Sequence, residues 1–113
     1  MKRLYPLLLV LGFLSVSGLG QAASPPAGDT LPLIVIDPGH GGADLGATGV
    51  TGIFEKDVVL DFARSLKKRL EMLGTCRVIL TRDRDAFLSL EDRVRFAKKQ
   101  NASVFLSIHA DTI

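Results

Sequence analysis

Three short apolar runs organise this chain from Leu33 onward. Leu33-Ile34-Val35-Ile36 is continuous, rich in β-branched residues and bounded by Pro32 and by Asp37-Pro38-Gly39, so it predicts a strand buried on both faces. Arg77-Val78-Ile79-Leu80-Thr81 and Val104-Phe105-Leu106-Ser107-Ile108 read the same way. Between the first two, Val59, Phe62, Ala63, Leu66, Leu70 and Leu73 recur at spacings of three and four. That period predicts an amphipathic helix from about Glu55 to Leu73, stopped by Gly74. A second helix is expected from Leu90 to about Gln100, with Leu90, Val94 and Ala97 on its apolar face and Ser89 and Asp92 in a capping-box pattern.

Strand, helix, strand, helix, strand with short linkers means two βαβ crossovers and therefore adjacent parallel strands. The expected fold is α/β, three layers with a mostly parallel sheet, βαβαβ in the part present.

The first residues have a different pattern. Lys2 and Arg3 precede a largely apolar stretch, residues 4–19, diluted by Gly12, Ser15, Ser17 and Gly18, and the small residues of Gly20-Gln21-Ala22-Ala23 follow. Residues 1–23 are read as a secretory signal peptide rather than a stable membrane anchor. Residues 24–32, with Pro25, Pro26, Gly28 and Pro32, form a flexible leader, and the folded domain occupies 33–113.

That division changes the charge balance. The formal charge of +2 resides in Lys2 and Arg3, so the remainder is neutral and gives no reason to expect a nucleic-acid partner. Lys67-Lys68-Arg69 and Lys98-Lys99 read as solvated helix faces. The single cysteine, Cys76, allows no internal disulfide and reads as a small residue at a strand edge.

In an open parallel sheet the loops at the carboxyl ends of the strands carry the chemistry. His40 follows the first strand, His109 ends the last, and Glu55 opens the first helix, so all three belong to one edge. Two imidazoles and a carboxylate suit a catalytic zinc, which takes three protein ligands and keeps a fourth position open. Glu55 also complements the helix dipole, a role compatible with ligation. Asp37 and Asp111, near the histidines in sequence, are candidates to accept a ring proton or to cap turns.

The glycine-rich loop, residues 38–54, raises phosphate binding as an alternative, and the spacing rejects it. A dinucleotide fingerprint begun at Gly39 meets Asp44 where its third glycine belongs; a P-loop begun at Gly41 lacks the lysine after Gly46.

Ile34-Val35-Ile36-Asp37-Pro38-Gly39-His40-Gly41-Gly42, Glu55-Lys56-Asp57, Leu80-Thr81-Arg82 and Ser107-Ile108-His109-Ala110, in this order, resemble the zinc-dependent N-acetylmuramoyl-L-alanine amidases. The resemblance spans nearly all of the chain after the leader. It implies an amidase/phosphorylase-like fold and Zn2+ held by His40, Glu55 and His109. It further implies hydrolysis of the amide between N-acetylmuramic acid and L-alanine in peptidoglycan, as in cell-wall remodelling and cell separation, with an activator protein as one possible partner. The short signal segment and the absence of wall-binding repeats favour a periplasmic location, secretion to the cell wall being the alternative. The family's general-base glutamate is expected beyond Ile113. Glu71 and Glu91, placed in helices, do not match it. The chain is thus expected to be the N-terminal part of the catalytic domain, incomplete at its C-terminus. The alternative is a non-catalytic zinc- or cell-wall-binding remnant.

Overall fold

The computed structural model describes residues 8–13 and 31–111. Its elements run β1 (Leu8–Phe13), β2 (Leu33–Pro38), α1 (Glu55–Met72), β3 (Arg77–Leu80), α2 (Leu90–Lys99) and β4 (Val104–Asp111). They form one sheet of order β1-β4-β2-β3, in which β2 is parallel to both β3 and β4. The expected βαβαβ core is present.

Side-chain alternation along β2 divides the core into two layers. Ile36 faces α1 with Val59, Ala63, Val78, Leu106 and Ile108, while Leu33 and Val35 face the other side with Ala97 of α2. One helix on each face gives the three-layer arrangement.

The differences from expectation lie at the ends of elements and on helix faces. β4 continues through His109 to Asp111, so His109 is a strand residue. β1, which falls within the segment read as a signal peptide, lies antiparallel along β4, pairing Leu8 with Asp111 and Phe13 with Leu106. The outer edge of β4 otherwise presents unpaired backbone groups, which an extended apolar segment satisfies. The remainder of the segments 1–23 and 24–30 lies outside the described residues.

On α2, Leu90 and Val94 are exposed, whereas Arg93 and Ala97 are buried. The helix is turned so that the Arg93 guanidinium reaches Asp37 in β2. A buried carboxylate requires such a partner, and that requirement outweighs burial of two aliphatic side chains at the rim. Phe62 of α1 and Leu73, which caps its C-terminal end, are likewise exposed. Ser89 caps α2 as expected, its hydroxyl accepting from the Asp92 N–H at 3.1 Å.

α1 begins without a side-chain cap. The glycine-rich loop supplies one, folding back so that the Ala47 carbonyl accepts from the Glu55 N–H at 2.8 Å and the Leu45 carbonyl from the Lys56 N–H at 3.2 Å. Satisfying the helix start thus brings the loop against Glu55.

Candidate metal centre

Three elements deliver the three candidate ligands to the carboxyl edge of the sheet. His40 stands just past β2 in a left-handed conformation (φ +58°), and Gly41 and Gly42 also have positive φ. This sharp reversal swings the imidazole over the end of β4, where His109 projects. Glu55, in the first turn of α1, reaches the same point from below.

His40 Nε2 lies 3.1 Å from Glu55 Oε2 and 3.2 Å from His109 Nδ1, and His109 Nδ1 lies 3.4 Å from Glu55 Oε1. The rings are nearly perpendicular, with centroids 4.9 Å apart. Donors held about 2.0–2.1 Å from one tetrahedral ion are separated by roughly 3.4 Å, so the triad has the spacing of a ligand set. A pair of imidazole nitrogens and a carboxylate so close together is also a concentration of lone pairs that a cation neutralises.

Glu55 is fixed before any ion binds. Its Oε2 accepts from the Ala47 N–H at 2.8 Å and its Oε1 from the Ala110 N–H at 2.9 Å. Burial alone would push its pKa up, but those two N–H donors and the neighbouring histidines hold it below the usual carboxylate range. Glu55 is therefore an anion at neutral pH.

Two glycines make the seat possible. A Cβ on Gly39 would run into the His109 ring, with Nδ1 at 2.6 Å, and one on Gly46 would stand 2.6 Å from Glu55 Oε2 and 2.7 Å from His40 Cδ2. The close approach of backbone to ligands accounts for part of the loop's glycine content.

Asp44 joins the site without having been expected there from the sequence. Its Oδ2 lies 2.9 Å from His40 Nδ1, and its Oδ1 accepts from the Gly46 N–H at 3.1 Å. The hydrogen bond to His40, with the Gly46 amide, lowers its pKa. A carboxylate on Nδ1 places the ring proton there and leaves Nε2 free to face an ion. Asp37, one of the two residues expected nearest this role, instead accepts from Thr81 Oγ1 at 2.6 Å, Ser107 Oγ at 2.8 Å and Arg93 Nη1 at 2.9 Å. Asp111 is exposed at the end of β4. An Asp four residues after a histidine in a glycine-rich turn was the available signal.

The triad is open on one side. Glu55 is buried, while the His109 side chain is 41% exposed. A cavity of about 120 Å³ beside it is lined by Gly39, His40, Asp44, Phe87, Leu90 and His109, among others. An ion held by the three ligands would have a free position facing this space.

Residues 34–113 match the family model described as N-acetylmuramoyl-L-alanine amidase. The chain belongs to that family. It is 49% identical over 86 residues to the N-acetylmuramoyl-L-alanine amidase AmiC of Escherichia coli, a match covering 75% of this chain and 21% of that protein. Among solved structures it resembles AmiC2 of Nostoc punctiforme (45% identity, TM-score 0.71, 76% of this chain and 47% of the other). It also resembles the catalytic domain of CwlV from Bacillus (Paenibacillus) polymyxa var. colistinus (40% identity, TM-score 0.69, 72% and 46%). The chain thus spans about half of these solved structures and about a fifth of the curated AmiC protein. Over the matched residues the βαβαβ core described above is the fold shared with these structures.

Proposed function

We propose that this chain carries the zinc-binding half of an N-acetylmuramoyl-L-alanine amidase, acting on the amide between N-acetylmuramic acid and L-alanine in peptidoglycan. The observation that carries the reading is the convergence of His40, Glu55 and His109, which each offer one ligand atom within 4.8 Å of the others. A zinc ion in such a seat, when bound, acts as a Lewis acid toward a carbonyl oxygen and lowers the pKa of a coordinated water. Zn2+ suits two imidazoles and one carboxylate better than Mg2+ or Ca2+, which take oxygen ligands.

The chain's own residues do the positioning. Glu55 contributes negative charge held rigid by two backbone amides; Asp44 fixes the His40 tautomer; His109 forms the solvent-facing side against which a substrate amide would lie. A peptidoglycan substrate fits an exported protein, and we read residues 1–23 as the segment that directs export to the periplasm. Among the described residues no helix is long and apolar enough to cross a membrane.

A second reading, metal binding without hydrolysis, is favoured by one observation. The two carboxylates lining the cavity beside the triad are already engaged, Asp44 with His40 and Gly46 and Asp37 with Thr81, Ser107 and Arg93, so each is a poor proton carrier for a departing amine. Incubating the zinc-loaded chain with purified sacculi separates the two. Released stem peptides, absent with His109→Ala, support the amidase; zinc bound without peptide release supports the metal-binding module. A chain that binds no zinc overturns both.

A further inference from the structure

Two buried guanidinium groups lie directly behind the His40 turn. Arg82, in the segment after β3, and Arg93, on α2, are 4% and 3% exposed. Arg82 donates to the Pro38 carbonyl from Nε at 3.0 Å and to the Gly39 carbonyl from Nη2 at 2.7 Å. Arg93 donates to the Pro38 carbonyl from Nη1 at 2.8 Å and to the His40 carbonyl from Nη2 at 2.8 Å. Three consecutive carbonyls, on the residue bearing the first candidate ligand and the two before it, are therefore held by two side chains.

Burying two cations side by side is costly, and core packing alone would be better served by aliphatic residues. Arg93 has a carboxylate partner in Asp37, but among the described residues the direct partners of Arg82 are all carbonyls: Pro38, Gly39, Lys56 and Arg84. Burial and the nearby Arg93 charge lower the Arg82 pKa, as expected for a cation without an acid in contact. What these bonds achieve is local. The left-handed His40 conformation is strained for a residue with a side chain and persists only if its surroundings dictate it. The planar fork of each guanidinium dictates it by fixing where the Pro38, Gly39 and His40 carbonyls point.

We propose that Arg82 and Arg93 are positioning residues that clamp the Pro38–Gly39–His40 backbone and so hold the His40 imidazole in its metal-binding pose. The inference rests on the metal-ligand reading of His40 and adds to it the device that preorganises the ligand. Neither arginine touches the triad; both act through the main chain.

Arg82→Lys and Arg93→Lys, made in the full chain, keep charge and approximate volume but lose the fork. Two measurements are made on each: Co2+ and Zn2+ affinity by competition with a chromophoric chelator, with the Co2+ visible spectrum, and amide hydrogen exchange of residues 39–42 in the metal-free protein. The clamp requires metal affinity about 10- to 100-fold weaker, an altered Co2+ spectrum and faster exchange in that segment, with helix content retained. Lysine variants with wild-type affinity and spectrum overturn the clamp and leave the metal reading intact. A wild-type chain that binds neither ion defeats the metal reading and the clamp's role toward metal together. Should a variant unfold without metal, its zinc-driven refolding is followed by circular dichroism: refolding at the zinc concentration that saturates the wild type contradicts the clamp, refolding that needs at least tenfold more zinc supports it, and a variant that zinc does not refold counts against a clamp confined to the His40 segment.

Discussion

His40 Nδ1 and Asp44 Oδ2 are 2.9 Å apart, on opposite sides of a turn that the backbones of Gly41 and Asp44 close by mutual hydrogen bonds at 2.9 and 3.1 Å. The imidazole is thereby held from behind while its Nε2 faces Glu55 and His109. Removing the carboxylate frees the ring to rotate and to protonate at the wrong nitrogen. Asp44→Ala should weaken zinc binding by about tenfold or more, equivalent to about 1.4 kcal/mol, and Asp44→Asn by less. Because Asp44 is exposed, far-UV circular dichroism should stay unchanged. Equal affinity in wild type and Asp44→Ala, by chelator competition, would remove Asp44 from the site.

The glycines divide into two kinds, and substitution separates them. Gly39→Ala puts a methyl group into the space of the His109 ring and should reduce zinc loading strongly. Gly52 has φ +81° and nothing within 4 Å of an added Cβ, so Gly52→Ala should lower stability by roughly 1–2 kcal/mol through backbone strain and leave zinc loading unchanged. Elemental analysis and urea unfolding of both variants check the contrast. Normal zinc content in Gly39→Ala would show that the seat tolerates displacement of His109.

The loop carries a pH-dependent tie at Gly42. Asp85 accepts from Lys56 Nζ at 2.7 Å and from the Gly42 N–H at 2.7 Å, and these donors lower its pKa below the ordinary 3.8. A carboxyl whose pKa is depressed by folding contributes stability in full above its unfolded value and loses it as pH falls through the folded one. Urea midpoints of the metal-free protein should therefore show wild type more stable than Asp85→Asn at pH 6, with the difference shrinking below about pH 4. A constant difference between pH 6 and pH 2.5 would refute the tie.

How much of this was legible beforehand differs from residue to residue. The five elements of the core followed from apolar runs and a three-to-four spacing, because burial on a sheet face or helix stripe leaves that mark directly in sequence. His40, Glu55 and His109 could be assigned to one edge because parallel topology fixes which loops meet. The orientation of α2 was not legible: Leu90, Val94 and Ala97 share one stripe, Arg93 and Ala97 another, and apolarity favours the first. The tie-breaker is Asp37, a carboxylate inside an apolar strand, which calls for a buried cation and finds Arg93. Arg82 was hidden for the same reason, since a buried arginine bonded to carbonyls looks in sequence like any charged loop residue. The extent of β4 depended on pairing with β1, a long-range contact that no local pattern announces.

The central claim is that His40, Glu55 and His109 hold one zinc ion, and X-ray absorption at the zinc edge of the loaded chain tests it most directly. We expect one zinc per chain in a shell of nitrogen and oxygen at about 2.0–2.1 Å, with scattering from two imidazoles that falls to one in His109→Ala. A thiolate sulfur near 2.3 Å, for which Cys76 is the one thiol in the sequence, or a shell unchanged by His109→Ala, would contradict it.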